Sequence, residues 1–474
     1  MSSATSSPAR QDSPPAPATF GVPPAARAEL RAEGKARRAD MPLDSHAELA
    51  VDRDDRDPLA ALRSQEDTRE PGLVPLRYGR MALSPFAFLR GSAVVMTQDL
   101  AATPSSGLEV QLCGDAHVAN FGIFAAPDRA LVFDLNDFDE THPGPFEWDV
   151  KRLAASVVVA GRDAGIKDPA SHAAAVTTAH SYRTTMAAMA AMSPLESWYA
   201  RVEADELADR LRDTALGKGV RRAVKKSRRN TGDVAVRKLT EVGPDGRLQF
   251  RADPPLLVPV DEAVEPDINA RVAVLFERYL STLSPDRESL LSRYGYRAMA
   301  HKVVGVGSVG TRALVLLFES GDGDALLLQV KQAGPSVLES VSEPGSPGHA
   351  GRRVVDGQRL LQAASDPFLG WTHGTYHPRR EYFVRQLRDM KGGVDLAALD
   401  GKGLAMYGRV CGAVLARAHA RAGSAATIAG YLGGSGTFDE AVARFAVGYA
   451  DVTERDHAAL CDAIADGSIP AETA

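Results

Sequence analysis

Apolar residues recur along this chain in two periods, and the switch between them outlines its organisation. In "PFEWDVKRLAASVVVAGRDAG" (residues 145–165) Leu153, Val157, Val158 and Ala160 fall toward one side of a helix, which predicts a long helix with that side turned inward. "DPASHAAAVTTAHSYRTTMAAMAAM" continues the pattern, so residues 145–215 are expected to be largely α. Ser84 ahead of Pro85 is a helix start, since serine caps orphan N–H groups and proline suits the first helical position. Before these helices, "GLEVQLCGD" and "RALVFDLNDF" read as two strands joined by a short loop around "APDR". Near residue 300 the pattern changes. "HKVVGVGSVGTRALVLLFESGDGDALLLQVKQA" reads as strand, glycine turn, strand, Gly-Asp hairpin and strand, which predicts antiparallel β structure. "GRRVVDGQRLLQAASD" then predicts a helix and "REYFVRQLRDMK" a strand. "GLAMYGRVCGAVLARAHARAG" and "TFDEAVARFAVGYADVTERDHAALCDAIADG" close the chain as helices.

At 474 residues the chain is too long for one ordinary core, so more than one lobe is expected. The pattern divides it into a disordered leader (1–50), a helical lobe with two acidic loops (51–215), a connecting segment (216–300), a β-rich lobe (301–392) and C-terminal helices packing on the helical lobe (393–474). The leader is rich in Ser, Pro, Ala and Arg and lacks the apolar centre of a secretory signal.

Charge and composition narrow the function classes. A net charge of -6 offers no global basic field, so no nucleic-acid partner is expected. The basic run "GKGVRRAVKKSRRNTG" (217–232) has no interleaved aromatic residues and reads as a solvated helix or loop. No stretch reaches the roughly 18 apolar residues of a membrane-spanning helix. The 3 cysteines lie far apart, which fits a reducing, cytoplasmic setting and supports neither a disulfide framework nor a zinc cluster.

The chemistry concentrates in the acidic loops. In "CGDAHVANFG" Asp115 and Asn120 stand in a D-x-x-x-x-N relation just past a strand. Phosphoryl transfer needs those two groups together: a carboxylate that takes or orients the attacking hydroxyl's proton, and an amide oxygen that helps hold Mg²⁺. A second carboxylate must ligate the metal from the neighbouring strand, and "LVFDLNDFDE" offers Asp134 or Asp137, with Asp139 and Glu140 following. Farther along, the glycine turn containing Gly305, Gly307, Ser308 and Gly310 could bring backbone N–H groups close to phosphates. Lys331 ends the apolar strand "LLLQV", where a lysine would reach nucleotide phosphates; Glu339 and Gln358 are both candidate partners for it. Arg80, Arg90, Arg152, Arg385 and Arg388 are candidates for substrate anions or for ion pairs between helices. His117 is read as a structural residue of its loop, and Glu147 and Asp149 as charges compensating a helix N-terminus.

"GDAHVANFG" and "VFDLNDFDE" resemble the catalytic and metal-binding loops of aminoglycoside and choline kinases, relatives of the protein kinases, and "GVGSVG…VK" resembles their glycine loop and strand lysine. Over the whole chain the sequence is similar to the bacterial domain of unknown function 2252 family, through "RYGRMALSPFAFLRG", "FDLNDFDETHPGPFEWDVKRLAAS", "VVDGQRLLQAASDPFLGW" and "LARAHARAG". The kinase resemblance implies an α+β, two-lobed protein kinase-like fold. It also implies ATP and Mg²⁺ as cofactors, Asp115 as catalytic base, and Asn120 with Asp134 or Asp137 as metal ligands. Here the catalytic loop precedes the glycine loop, the reverse of the kinase order, which implies a circular permutation. The expected function is an ATP- and Mg-dependent phosphotransferase acting on an unknown acceptor, small molecule or protein. The alternatives are a nucleotide-binding pseudokinase, an adenylyl transferase and, because "GDAH" also fits two-metal sites, a metal-dependent phosphoesterase.

Overall fold

The computed structural model describes residues 24–472, apart from 262, 264, 304–308, 343–347, 375–379 and 388–389. Four long helices, Phe146–Asp163, Asp168–Met189, Gly401–Ala422 and Thr437–Ala465, pack together around the largest core of an α+β fold. Phe146–Asp163 lies at the centre: even Glu147, Asp149, Lys151 and Arg152 are buried, so its polar groups must find partners inside the protein. Gly412 lets helix Gly401–Ala422 close on its neighbour, because a Cβ there would lie 2.3 Å from the Thr178 carbonyl oxygen. The leader expected over residues 1–50 is ordered where it is described, for Arg27–Ala36 forms a helix that packs against Ala425–Leu432.

Four short strands precede and flank the central helix: β1 (Glu109–Leu112), β2 (Phe121–Ala125), β3 (Leu131–Leu135) and β4 (His142–Pro145). β1 pairs with β4 and β2 with β3, both antiparallel. Two loops are thereby fixed side by side, the β1–β2 loop carrying Asp115 and the β3–β4 loop carrying Asp137 and Asp139. A separate pair, β5 (Thr240–Val242) with β6 (Leu248–Phe250), lies in the segment that leads to the main sheet.

That sheet has six antiparallel strands in the order β11-β12-β10-β9-β8-β7: Gly370–His373, Glu381–Gln386, Ala325–Ala333, Ala313–Ser320, Tyr294–Lys302 and Leu257–Val260. Its strands therefore begin before residue 301, inside the segment read as a connection. Leu314, Leu316 and Phe318 face one apolar cluster and Val315 and Leu317 another, so both sheet faces are covered. This explains why β9 and β10 read as unbroken apolar runs rather than alternating ones. Lys331 stands opposite Phe383 on β12 and Ala313 on β9, while Gln329 stands opposite Arg385. Among the described residues, no helix is long and apolar enough to cross a membrane.

Candidate functional site

The start of the Asp115 loop is held by buried polar groups. Cys113 N and Gly114 N donate to Asp149 at 2.7 and 3.0 Å. His419 Nε2 lies 3.2 Å from the same carboxylate, and its Nδ1 lies 2.8 Å from the Tyr182 hydroxyl. Gly114 itself has φ +84°, and a Cβ there would fall 2.1 Å from the Glu140 carbonyl oxygen, so the two acidic loops touch where only glycine fits. Asp149 is thus a clamp on the loop, beyond the helix-end charge compensation its position suggests.

Asp115 is gripped by Arg152 of the central helix, whose Nε donates to Oδ1 at 2.6 Å and whose Nη2 donates to Leu89 O at 2.9 Å. The other oxygen, Oδ2, has His117 Nε2 at 3.6 Å. Burial pushes His117 down to about 4, so the ring is neutral at physiological pH. Asn120 Nδ2 donates to the carbonyls of Asp115 (3.0 Å) and Asp137 (3.2 Å), tying the loops together. Both acceptors are carbonyl oxygens, so the amide must turn its nitrogen to them and its own oxygen the other way.

Lys331 Nζ forms an ion pair with Asp139, joining the main sheet to the second acidic loop. Burial works to raise the Asp137 carboxyl, but Lys331 and Arg385 outweigh it and hold it below the usual range. Asp139 goes the other way, raised by burial and by the charge of Asp137. Two carboxylates with one lysine between them therefore resist ionising together, a condition a divalent cation relieves. Lys391 is pushed down to about 7, first by the Arg385 charge and then by burial.

Asp115, Asn120, Asn136, Asp137, Asp139 and Glu140 all border one cavity of about 580 Å³, closed on the sheet side by Gln332, Arg385 and Lys391. A smaller cavity of about 100 Å³ adjoins it through Asn136, Arg385 and Lys391. The structure thus brings Asp115, Asn120 and Asp137 to one cavity, with Lys331 joined to its edge through Asp139.

Asp134 is not part of this group. It is 1% exposed; its Oδ1 accepts from Arg417 at 2.6 Å and its Oδ2 from Ala363 N at 2.9 Å. That carboxylate ties β3 to the helix Gly401–Ala422 and does not line the cavity, whereas Asp137 does. The expected partners of Lys331 are corrected too. Glu339 caps its own short helix at Ser336 N (3.1 Å) and lies 3.3 Å from Arg353 Nε. Gln358 donates to Gln362 at 2.9 Å. Asp139 takes their place. Gly310, φ +92°, packs on Arg69 and accepts from Glu70 N at 2.7 Å; Gly305, Gly307, Ser308 and Arg388 lie outside the described residues.

The model of a bacterial protein family, DUF2252, described as an uncharacterized protein conserved in bacteria, matches residues 69–463. The chain belongs to the DUF2252 family. No curated protein and no solved structure matches it. The matched span contains both acidic loops, the main sheet and the helices that support them, so the cavity lies wholly inside the DUF2252 region apart from its rim at Ser64, Gln65 and Thr68.

The donor set in this DUF2252 cavity suits a hard cation. Asp137 and Asp139 supply carboxylates, Asn120 an amide oxygen, and Asn136 Oδ1 is buried without a hydrogen-bond partner. Among the described residues no three His, Cys, Asp or Glu side chains converge on one point. That is a poor cage for a metal held by protein alone, and it fits Mg²⁺, which takes one or two carboxylates and completes its shell with water and substrate phosphate. Arg152, Asp149 and the Lys331–Asp139 pairing are the site features that sequence reasoning missed as such. For Arg152 and Asp149 the only signal was their nearness in sequence to the acidic loops, which does not specify contact, and the Lys331–Asp139 pairing had none.

Proposed function

We propose that this protein is an ATP- and Mg²⁺-dependent phosphotransferase, with a two-lobed, kinase-like and circularly permuted arrangement. The observation that carries the reading is the ion pair of Lys331, from the sheet, with Asp139 of the second acidic loop, whose residues border the same cavity as Asp115 and Asn120. Lys331, Arg385 and Lys391 would bind the nucleotide's phosphates. Asp137, Asp139 and the Asn120 oxygen would hold Mg²⁺, which when bound offsets charge on the phosphate oxygens. Asp115, held by Arg152, would take the acceptor's proton. As the acceptor oxygen bonds to the γ-phosphorus, the bond from that phosphorus to the β-phosphate oxygen breaks and ADP leaves with the pair of electrons.

ATP with Mg²⁺ is expected to raise the melting temperature by several degrees more than ATP with EDTA, since a ligand bound only to the native state stabilises it by mass action. Equal curves with and without ATP would contradict nucleotide binding. Lys391 adds a pH signature. Its amine titrates near 7 when free, and phosphate binding favours the charged form. Binding at pH 8 should therefore take up a proton, and affinity should fall as pH rises through 7 to 9. Calorimetry in buffers of different ionisation enthalpy reads the uptake directly, and Lys391→Met should abolish it.

One observation favours adenylyl transfer as a second reading. Neither Glu339 nor Gln358 holds Lys331, so no helix partner fixes the lysine in the position kinases use, and a shifted nucleotide would present its α-phosphate. Pyrophosphate as product, in place of ADP, would identify that reaction. ATP binding with neither product would identify a pseudokinase.

A further inference from the structure

Apart from the cations proposed above for the nucleotide, the cavity is bordered by a second positive wall. Arg90 sits in the last turn of helix Pro85–Gly91 and lines the cavity with Arg69 and Gln65. Its helix is tied to the Asp115 loop at two points. The preceding carbonyl, Leu89 O, accepts from the same Arg152 that grips Asp115. Phe86, on the same helix, meets the His117 ring edge-on at 6.4 Å.

Arg90 Nε is buried with no hydrogen-bond partner, and no carboxylate or carbonyl among the described residues pairs with the side chain. A buried guanidinium donor without an acceptor costs its full desolvation penalty, so an acceptor oxygen is what the wall lacks. Arg69 adds charge alongside, with its Nη1 donating to Val309 O at 2.6 Å. Arg77 lies fully buried behind it, with Nη2 on Gln65 at 2.7 Å and with Nε and Nη1 unpartnered. Glu140, on the same cavity, faces both Arg69 and Arg77, so Arg90 is the guanidinium of this wall left to receive an incoming anion. Lys331, Arg385 and Lys391 belong to the opposite side, where Asp137 and Asp366 are among the charges they face.

We propose that this wall binds an anionic group of the acceptor, a carboxylate or a phosphate, with Arg90 as its principal contact. The acceptor is then a negatively charged molecule whose nucleophilic oxygen is presented to Asp115, and not a cation. This rests on the phosphotransferase reading for the acceptor's role, though the anion wall stands without it.

The test is titration of the full-length protein with inorganic phosphate after saturation with Mg²⁺ and a non-hydrolysable ATP analogue. Arg90→Ala should weaken phosphate binding about tenfold or more while leaving analogue affinity within about twofold. Arg90→Met, which keeps the apolar stem, should show the same loss and so excludes misfolding as its cause. Arg385→Ala should weaken the analogue and spare the Arg90-dependent phosphate site. Unchanged phosphate affinity in both Arg90 variants would overturn the proposal, as would saturable binding of choline in the same cavity. Should the analogue fail to bind while phosphate still depends on Arg90, the nucleotide reading falls and the anion wall remains.

Discussion

Asp137→Asn is expected to lower nucleotide-dependent transfer by about 10³-fold, with the fold intact, whereas Asp134→Asn should leave turnover per folded molecule unchanged. The contrast follows from where each carboxylate points. Asp137 borders the cavity among Lys331 and Arg385, and its amide replacement keeps the shape but removes the charge that would hold Mg²⁺ against the phosphates. Asp134 spends its oxygens on Arg417, Ala363 N and Leu135 N, so its replacement weakens a buried ion pair and costs stability instead. Product formation with labelled ATP, measured beside urea melts of both variants, separates the two effects. The reverse pattern, with Asp134→Asn inactive but stable and Asp137→Asn active, would contradict the assignment.

Asp149→Ala is expected to be the most destabilising of the site substitutions, at about 4 kcal/mol. Its carboxylate satisfies Cys113 N, Gly114 N and His419 Nε2 together in the interior, and truncation leaves all three without an acceptor. Were Asp149 there only to offset a helix end, the loss would be below about 1 kcal/mol. Urea unfolding distinguishes these values. Asp149→Asn, which keeps one acceptor oxygen, should fall between wild type and alanine. The consequence for function is direct, because Gly114 precedes Asp115 and a slack Gly114 releases the proposed base.

What could be read in the sequence divides along a physical line. Strongly periodic segments declared themselves: Phe146–Asp163 and Gly401–Ala422 have helical stripes, and β9 and β10 are apolar runs bounded by glycine and aspartate. Lys331 stood out because a charge ending such a run must find a partner inside. β4 was invisible, since "HPGP" has no strand propensity and exists only because β1 pairs with it. β2 was missed as well, hidden behind the motif it follows. Within the acidic loops the sequence supplied the right residue types but not their directions. Asp134 and Asp137 are equally plausible ligands until Arg417, from a helix far along the chain, takes one of them. The same holds for Lys331, whose partner Asp139 comes from a loop that only the tertiary fold brings near. Contacts of this kind depend on how lobes dock, which no local period encodes.

The most direct test is labelling with an acyl-phosphate derivative of ATP, which transfers its acyl group to a lysine amine touching the phosphates. The account predicts modification at Lys331 and Lys391, with both suppressed by excess Mg²⁺–ATP. Labelling confined to surface lysines such as Lys225 and Lys226, and indifferent to ATP, would contradict it.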